Sequence, residues 1–227
     1  MKCVVPLAGP DLFSPEFGLR PLIDVDGQPL LRAALTRRVW AGELAAEDYI
    51  FVIRQVEQLP ELQAFLEANW PGSRTVVLSH LTGGALFSVL SAMALIAPDE
   101  EIIVDLADIL FDEGPSRPQD VLTAYEAVVP VFPSSEAVYS YLRSEGGLVV
   151  EAREKQVISD QASAGVYMFA SPQIFLRAAA HSMDHREALN FRGILFICPM
   201  VNGVVAAGGR VAAPAIGNWD PVSKRFH

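Results

Sequence analysis

A chain of 227 residues that is 51% hydrophobic and 19% charged carries enough apolar material for a substantial core and is unlike a disordered chain. Its 27 acidic and 17 basic residues leave a formal net charge of −10, which disfavours nonspecific nucleic-acid binding, since neutralising phosphates needs clustered lysine and arginine. No apolar stretch approaches the ~20 residues that span a bilayer, and Pro6 and Gly9 break the first apolar run; neither a membrane nor a secretory location is indicated, and the cytoplasm is the default expectation.

Val4–Leu7 reads as the first strand. Its neighbour Cys3 and the distant Cys198 show no ligand spacing, and a reduced, buried pair is expected. In "DGQPLLRAALTRRVWAG" the period changes: Leu30, Leu31, Ala34, Leu35 and Val39 recur at helical spacing, and Pro29 suits an early helix position. "DYIFVIR" is the second strand, Leu59–Ala68 the next helix before Pro71-Gly72, and "TVVLS" the third strand. "TGGALFSVLSAMALIA" opens with a glycine pair and keeps an apolar helical face, and "EIIVDLADILFD" supplies a fourth strand. Alternation of this kind is that of repeated βα units.

Beyond Asp112 the pattern loosens. "GPSRPQDVL", with Pro115 and Pro118, reads as a loop, and Pro130 in "AVVPVFP" argues for an edge strand or a bulge. "YSYLR", a Gly146-Gly147 turn and "LVVEA" form a hairpin pattern. "SAGVYMFA" is a further strand, followed by a helix with Ser171 as N-cap and Pro172 just inside. Residues 192–205 form another mostly apolar segment, "GRVAAPAI" reads as the last strand, and "GNWDPVSKRFH" as a polar tail.

Open α/β sheets bind ligands beyond the carboxyl ends of their strands, so three loops are candidates. The first, "AGPDLFSPEFGLRPL", has Gly9 at a strand end and Gly18 before Arg20, yet matches neither a dinucleotide fingerprint nor a Walker loop; an ordinary connection explains it as well. The second, "SHLTGGALFSV", sets Gly83-Gly84 at the mouth of a helix, which suits a flat base or an anion, but close helix packing would require the same residues. In the third, "VDLADILFD", strand periodicity puts Asp105 and Asp108 on different sides. Asp108 then points into a cleft, where it would either hold a divalent cation or cap the following turn.

Taken in order, "VVPLAG", "LRPLIDVDGQPLL", "LTGGALFSVLSAM", "DLADILFD", the stretch from "YSYLRSEGG" through "EKQVISDQASAGVYMFASPQIFLRAA", and "ICPMVNGVVAAGGRV" resemble the sugar-phosphate nucleotidyltransferases, the GT-A-like nucleotide-diphospho-sugar transferase fold. The resemblance implies a Rossmann-like three-layer α/β/α domain over residues 1–227, with a mixed, mainly parallel central sheet and an inserted hairpin. Its nucleotide-binding half would be residues 1–112 and its sugar-phosphate-binding half residues 113–227. It implies that Ala8 and Gly9 lie at the nucleotide phosphates, that Arg20 occupies the usual catalytic-lysine position, and that Gly83 and Gly84 flank the base. Asp108 would hold Mg2+ or another divalent cation, with Asp220 as a second metal carboxylate. Glu154 and Lys155 would face the sugar phosphate, with Gly165 nearby and Asn202 behind them. Arg20, Asp108 and Lys155 are thus the expected catalytic set, the partners are a nucleoside triphosphate and a sugar phosphate or related small molecule, and a homo-oligomer is compatible with the resemblance.

This chain departs from the family at the first loop. Pro10-Asp11-Leu12-Phe13 stands where family members carry glycines and an arginine that grips the triphosphate, and no arginine occurs before Arg20. Asp11 adds negative charge there unless a cation offsets it, so it is expected to turn away from the phosphates. Two alternatives to an enzyme follow: a non-catalytic relative that binds a nucleotide or sugar nucleotide, and a soluble α/β domain with an unrelated ligand.

Overall fold

The first strand, β1 (Lys2–Pro6), buries both of its faces, which is why its sequence is a near-continuous apolar run and not an alternating one. The computed structural model describes residues 1–114 and 118–222, so the Pro115 of the predicted loop lies outside the described residues, as does the end of the tail. After β1 come two small hairpins, β2 (Phe13–Ser14) with β3 (Gly18–Leu19) and β4 (Asp24–Val25) with β5 (Gln28–Pro29), then α1 (Leu30–Thr36). β6 (Tyr49–Arg54), α2 (Leu59–Asn69), β7 (Arg74–Leu78), α3 (Ala85–Leu90) and β8 (Ile102–Asp105) complete the alternating half. The second half has α4 (Pro118–Leu122), β9 (Ala127–Val128), β10 (Val131–Pro133), β11 (Tyr141–Glu145), β12 (Leu148–Arg153), β13 (Gln161–Ser163) and β14 (Val166–Phe169). It ends with α5 (Pro172–Asp184), α6 (Arg186–Leu189), α7 (Val201–Ala206) and β15 (Val211–Ala212).

Among the described residues seven strands form the central sheet, in the order β15-β9-β14-β8-β1-β6-β7. Only β14 runs antiparallel to its neighbours, β8 and β9, so the sheet is mixed and mainly parallel and takes strands from both halves of the chain. The two-residue period of β1 sends Cys3 and Val5 to one face, with α1 and α2, and Val4 to the other, with α3, α5 and α7. The layers are therefore helix, sheet, helix. The expected hairpin is β11–β12, and it belongs to a four-stranded antiparallel sheet, β10-β13-β11-β12. Pro130 and the pair Ala164-Gly165 mark the two places where the chain leaves one sheet for the other, and the Pro130 carbonyl accepts from the Ala164 N–H at 2.9 Å. Pro130 thus serves a crossing between sheets, where a missing N–H interrupts no ladder.

The helix at 30–39 is shorter than its pattern predicts. It stops at Thr36, Pro29 precedes it as the N-cap, and Val39 is 44% exposed. Arg38 and Trp40 take the inward places instead, because Arg38 has a buried carboxylate to reach. The predicted loop around Pro118 contains a short helix, α4, with Pro118 in its first turn, where its missing N–H is an orphan anyway. Ser171 caps α5 as expected, accepting from the Ile174 N–H at 3.4 Å. Both cysteines are buried and free, and burial pushes each thiol well above its ordinary pKa. Among the described residues no helix is long and apolar enough to cross a membrane.

Candidate active site

Beyond the carboxyl ends of β1 and β8 opens a cleft of ≈ 1300 Å³, larger than the ~300–1,000 Å³ typical of a single small-ligand pocket. The two halves of the chain build it together. Ala8, Gly9, Arg20, Gly84 and Asp108 line it from the first half, and Glu154, Lys155 and Gly165 from the second. Sequence positions far apart converge because β1, β8 and β14 are neighbours in the sheet while the β10–β13 sheet leans over their ends.

Asp108 owes its place to a buried pair beneath it. The Arg38 guanidinium donates to both oxygens of Asp105, Nε to Oδ2 at 2.7 Å and Nη2 to Oδ1 at 2.9 Å, and its Nη1 reaches the Ile109 carbonyl at 2.8 Å. Asp105 also accepts from the Ala107 N–H at 2.8 Å, which pins Ala107 at φ +54° and turns the chain so that Asp108 faces the cleft. Arg38 gave no sequence signal, being one basic residue in a helix-like run; its partner is 67 positions away.

At the mouth, one guanidinium serves two carboxylates. Arg20 donates through Nη1 to Asp11 and through Nη2 to Asp108. Asp11, expected to turn away from the phosphates, lines the cleft and folds back over Gly9, its carboxylate lying where a Cβ there would stand. An ion pair with Arg20 gives Asp11 the cation that a carboxylate at this position needs. Burial pushes Asp108 above the ordinary carboxylate value and Asp11 adds to that shift, while Arg20 opposes it. Burial works against the charge on Arg20, yet Asp108 and Asp11 hold its pKa above the usual arginine value. The trio carries one negative charge in excess. Behind the first loop, Arg54 at the end of β6 contacts the Gly9 carbonyl at 3.4 Å, and its buried Nε has no hydrogen-bond partner among the described residues. Sequence reasoning overlooked it because it closes an ordinary strand.

On the opposite side Glu154 is 8% exposed and accepts a hydrogen bond from the Ser140 hydroxyl. Burial raises its pKa, against the pull of Ser140 and Lys155. Lys155 follows at φ +52°, with Nζ 5.3 Å from the Phe191 ring centre and 5.7 Å from that of Phe196. Ser163 donates to the Tyr167 hydroxyl at 2.9 Å just below Gly165.

Four expected residues have structural tasks. Gly83 gives its carbonyl to the Leu195 N–H at 2.9 Å, and a Cβ on Gly84, at φ +134°, would overlap the Leu195 carbonyl oxygen. Close packing of the two loops thus accounts for Gly84, which nonetheless lines the cleft; Gly83 does not line it. Asn202 lies outside the cleft and spends its amide on structure, accepting from the Ala152 N–H at 2.9 Å and donating to the Ala152 and Pro199 carbonyls at 2.8 Å each. Asp220 exchanges backbone hydrogen bonds with Leu110 at 2.9 Å, which brings its segment alongside the Asp108 loop, but Asp220 is not among the residues lining the cleft. Among the described residues no three acidic, histidine or cysteine side chains gather as a metal cage.

No protein-family profile and no curated protein matches the sequence. Solved structures do match in shape. A nucleoside-diphosphate-sugar pyrophosphorylase from Vibrio cholerae superposes with a TM-score of 0.77 at 19% identity, over 95% of this chain and 92% of that one. A putative glucose-1-phosphate thymidylyltransferase from Bacillus anthracis, in complex with a sucrose, gives 0.74 at 14% identity, over 98% and 90%. A UDP-glucose pyrophosphorylase complexed with UDP-glucose gives 0.67 at 18% identity, over 95% and 89%. The chain has a sugar-phosphate nucleotidyltransferase-like fold.

Proposed function

We propose that the protein transfers a nucleoside monophosphate from a nucleoside triphosphate to a sugar phosphate or similar phosphorylated metabolite. One observation carries the reading most: the cleft brings Arg20 and Asp108 of the first half together with Glu154 and Lys155 of the second, on a fold of that class. A phosphate oxygen of the acceptor would bond to the α-phosphorus, the bond from that phosphorus to the β-phosphate oxygen would break, and pyrophosphate would leave with the electron pair. The nucleophile is already an anion, so no covalent protein intermediate is needed, and the protein's task is positioning and charge stabilisation.

Arg20 would release one carboxylate to reach the phosphates of the nucleotide, and Lys155 would hold the acceptor phosphate. The excess formal negative charge of Asp11 and Asp108 over Arg20, carried by hard oxygen donors, suits a divalent cation. Asp108, with Asp11 beside it, would hold Mg2+ or a similar ion, which when bound neutralises charge on the phosphates. A second reading, a non-catalytic nucleotide or sugar-nucleotide binder, draws on the same ion pairs: Arg20 is engaged by two carboxylates where a phosphate grip would need it free.

A matrix of nucleoside triphosphates, phosphorylated acceptors and divalent cations, read by pyrophosphate release with calorimetry alongside, tests the proposal. Release in any combination supports transfer, and its loss by at least ~10-fold in Asp108→Asn, with unchanged circular dichroism, ties it to this cleft. Tight nucleotide binding without release in every combination would favour the binder.

A further inference from the structure

Three exposed large hydrophobic side chains line this one cleft. Leu81 is 49% exposed, Val138 51% and Ile194 41%, and each comes from a different segment. Single exposed apolar residues need no explanation, but a set converging on one cleft marks a surface made to be covered. The half-buried rings of Phe191 and Phe196 line the same cleft.

This wall is braced. Phe191 and Ile194 exchange backbone hydrogen bonds at 3.0 Å each around Arg192 and Gly193, both at positive φ, in the manner of a tight hairpin. The Asn190 side chain accepts from the Gly193 N–H at 2.7 Å, and Arg186 donates to the Gly193 carbonyl at 2.8 Å. Two cations lean on the same wall: the Lys155 ammonium faces both rings, and the Arg192 guanidinium lies 5.2 Å from the Phe191 ring centre. Several neighbouring polar side chains are occupied with one another, Ser140 with Glu154, Ser163 with Tyr167 and Thr82 with Ser88; Glu136 and Tyr139 line the cleft as well, but among the described residues no Asn, Gln or His does. A polyol needs donors and acceptors to read its hydroxyls, whereas an apolar wall beside a cation suits an anion joined to hydrocarbon.

Building on the nucleotidyl-transfer reading, we propose that the acceptor is an amphipathic phosphate ester. Its phosphate is held by Lys155 and Arg192, and its hydrocarbon or aromatic alcohol portion seats against Phe191, Phe196, Ile194 and Val138. Binding of such an ester covers the exposed apolar side chains, and that burial drives selection against hydroxyl-rich esters of equal charge.

Calorimetric titration of the full chain with phenyl phosphate and hexyl phosphate, against glucose 1-phosphate and inositol 1-phosphate, reads this directly. The first pair is expected to bind at least ~10-fold more tightly. In Ile194→Ser, a change at an exposed position, the preference of the first pair over glucose 1-phosphate should fall several-fold. Equal or tighter binding of the hydroxyl-rich pair overturns the proposal, as does a preference untouched by both Ile194→Ser and Phe191→Ala. Pyrophosphate release measured with the same compounds separates the two readings. A hydrocarbon preference with no release for any nucleotide upholds this ligand class and sinks transfer, whereas release with only the hydroxyl-rich esters upholds transfer and sinks this inference.

Discussion

Arg38 and Asp105 form a two-point ion pair in which neither side chain is more than 1% exposed, and the loop bearing Asp108 is hung from it. Charges so far from water persist only when their hydrogen bonds are met, and here the guanidinium also bonds the Ile109 carbonyl and stacks 4.1 Å from the Phe111 ring centre. Removing one partner strands the other. Arg38→Met is expected to cost about 3–5 kcal/mol of unfolding free energy. Urea denaturation of both proteins measures it, and a loss below about 1 kcal/mol would show that the pair does not anchor this loop.

Asp11 and Asp108 share one guanidinium, for which a phosphate would compete, and this makes Asp11→Asn informative. Freed from one carboxylate, Arg20 should reach phosphate more readily, and metal-free nucleotide binding should tighten several-fold. Arg20→Ala should weaken it by roughly 1–3 kcal/mol. Titrations of both variants with and without divalent cation resolve the roles. Weaker metal-free binding in Asp11→Asn would contradict the competition.

Glu154 supplies a stability prediction with a definite sign. Burial raises its folded pKa above the unfolded value, so the folded state holds the proton more tightly. Its stabilising contribution is present in full below the ordinary glutamate pKa and is lost as pH rises through the elevated folded value. Glu154→Gln stays neutral and can still accept from Ser140 through its amide oxygen. The variant should therefore gain stability relative to the parent as pH rises from acid to neutral, with the two converging at acid pH. Melting temperatures across that range provide the measurement, and a parent that gains on the variant as pH rises would reverse the assignment.

The glycine pair should divide. Gly84→Ala faces both a backbone region open almost only to glycine and the Leu195 carbonyl, and about 3 kcal/mol or more of destabilisation is expected. Gly83 lies outside the left-handed region, and an added methyl would meet the Phe87 ring at 3.3 Å, so Gly83→Ala should cost under about 1 kcal/mol. Equal costs in chemical denaturation would show that loop packing does not set the need for Gly84.

The order of elements was legible because its causes are local. Fully buried parallel strands leave runs such as Val4–Leu7, and the Ser171-Pro172 start of α5 is written in two adjacent residues. The strand-end loops could be named as site candidates for the same reason: where an apolar run stops, a parallel sheet opens. What each charge in those loops does was settled only in three dimensions. Asp11 is a partner of Arg20 and no stray negative charge, Arg38 is an inward anchor, and Asn202 is a clamp on Ala152, each through a contact no periodicity encodes. Ion pairs and hydrogen bonds act over a few ångströms in space, here between residues 9, 67 and 50 positions apart in the chain, so folding had to bring them together first. The apolar lining was hidden in the same way, since Leu81, Val138 and Ile194 are three isolated residues in sequence and line one cleft only after folding.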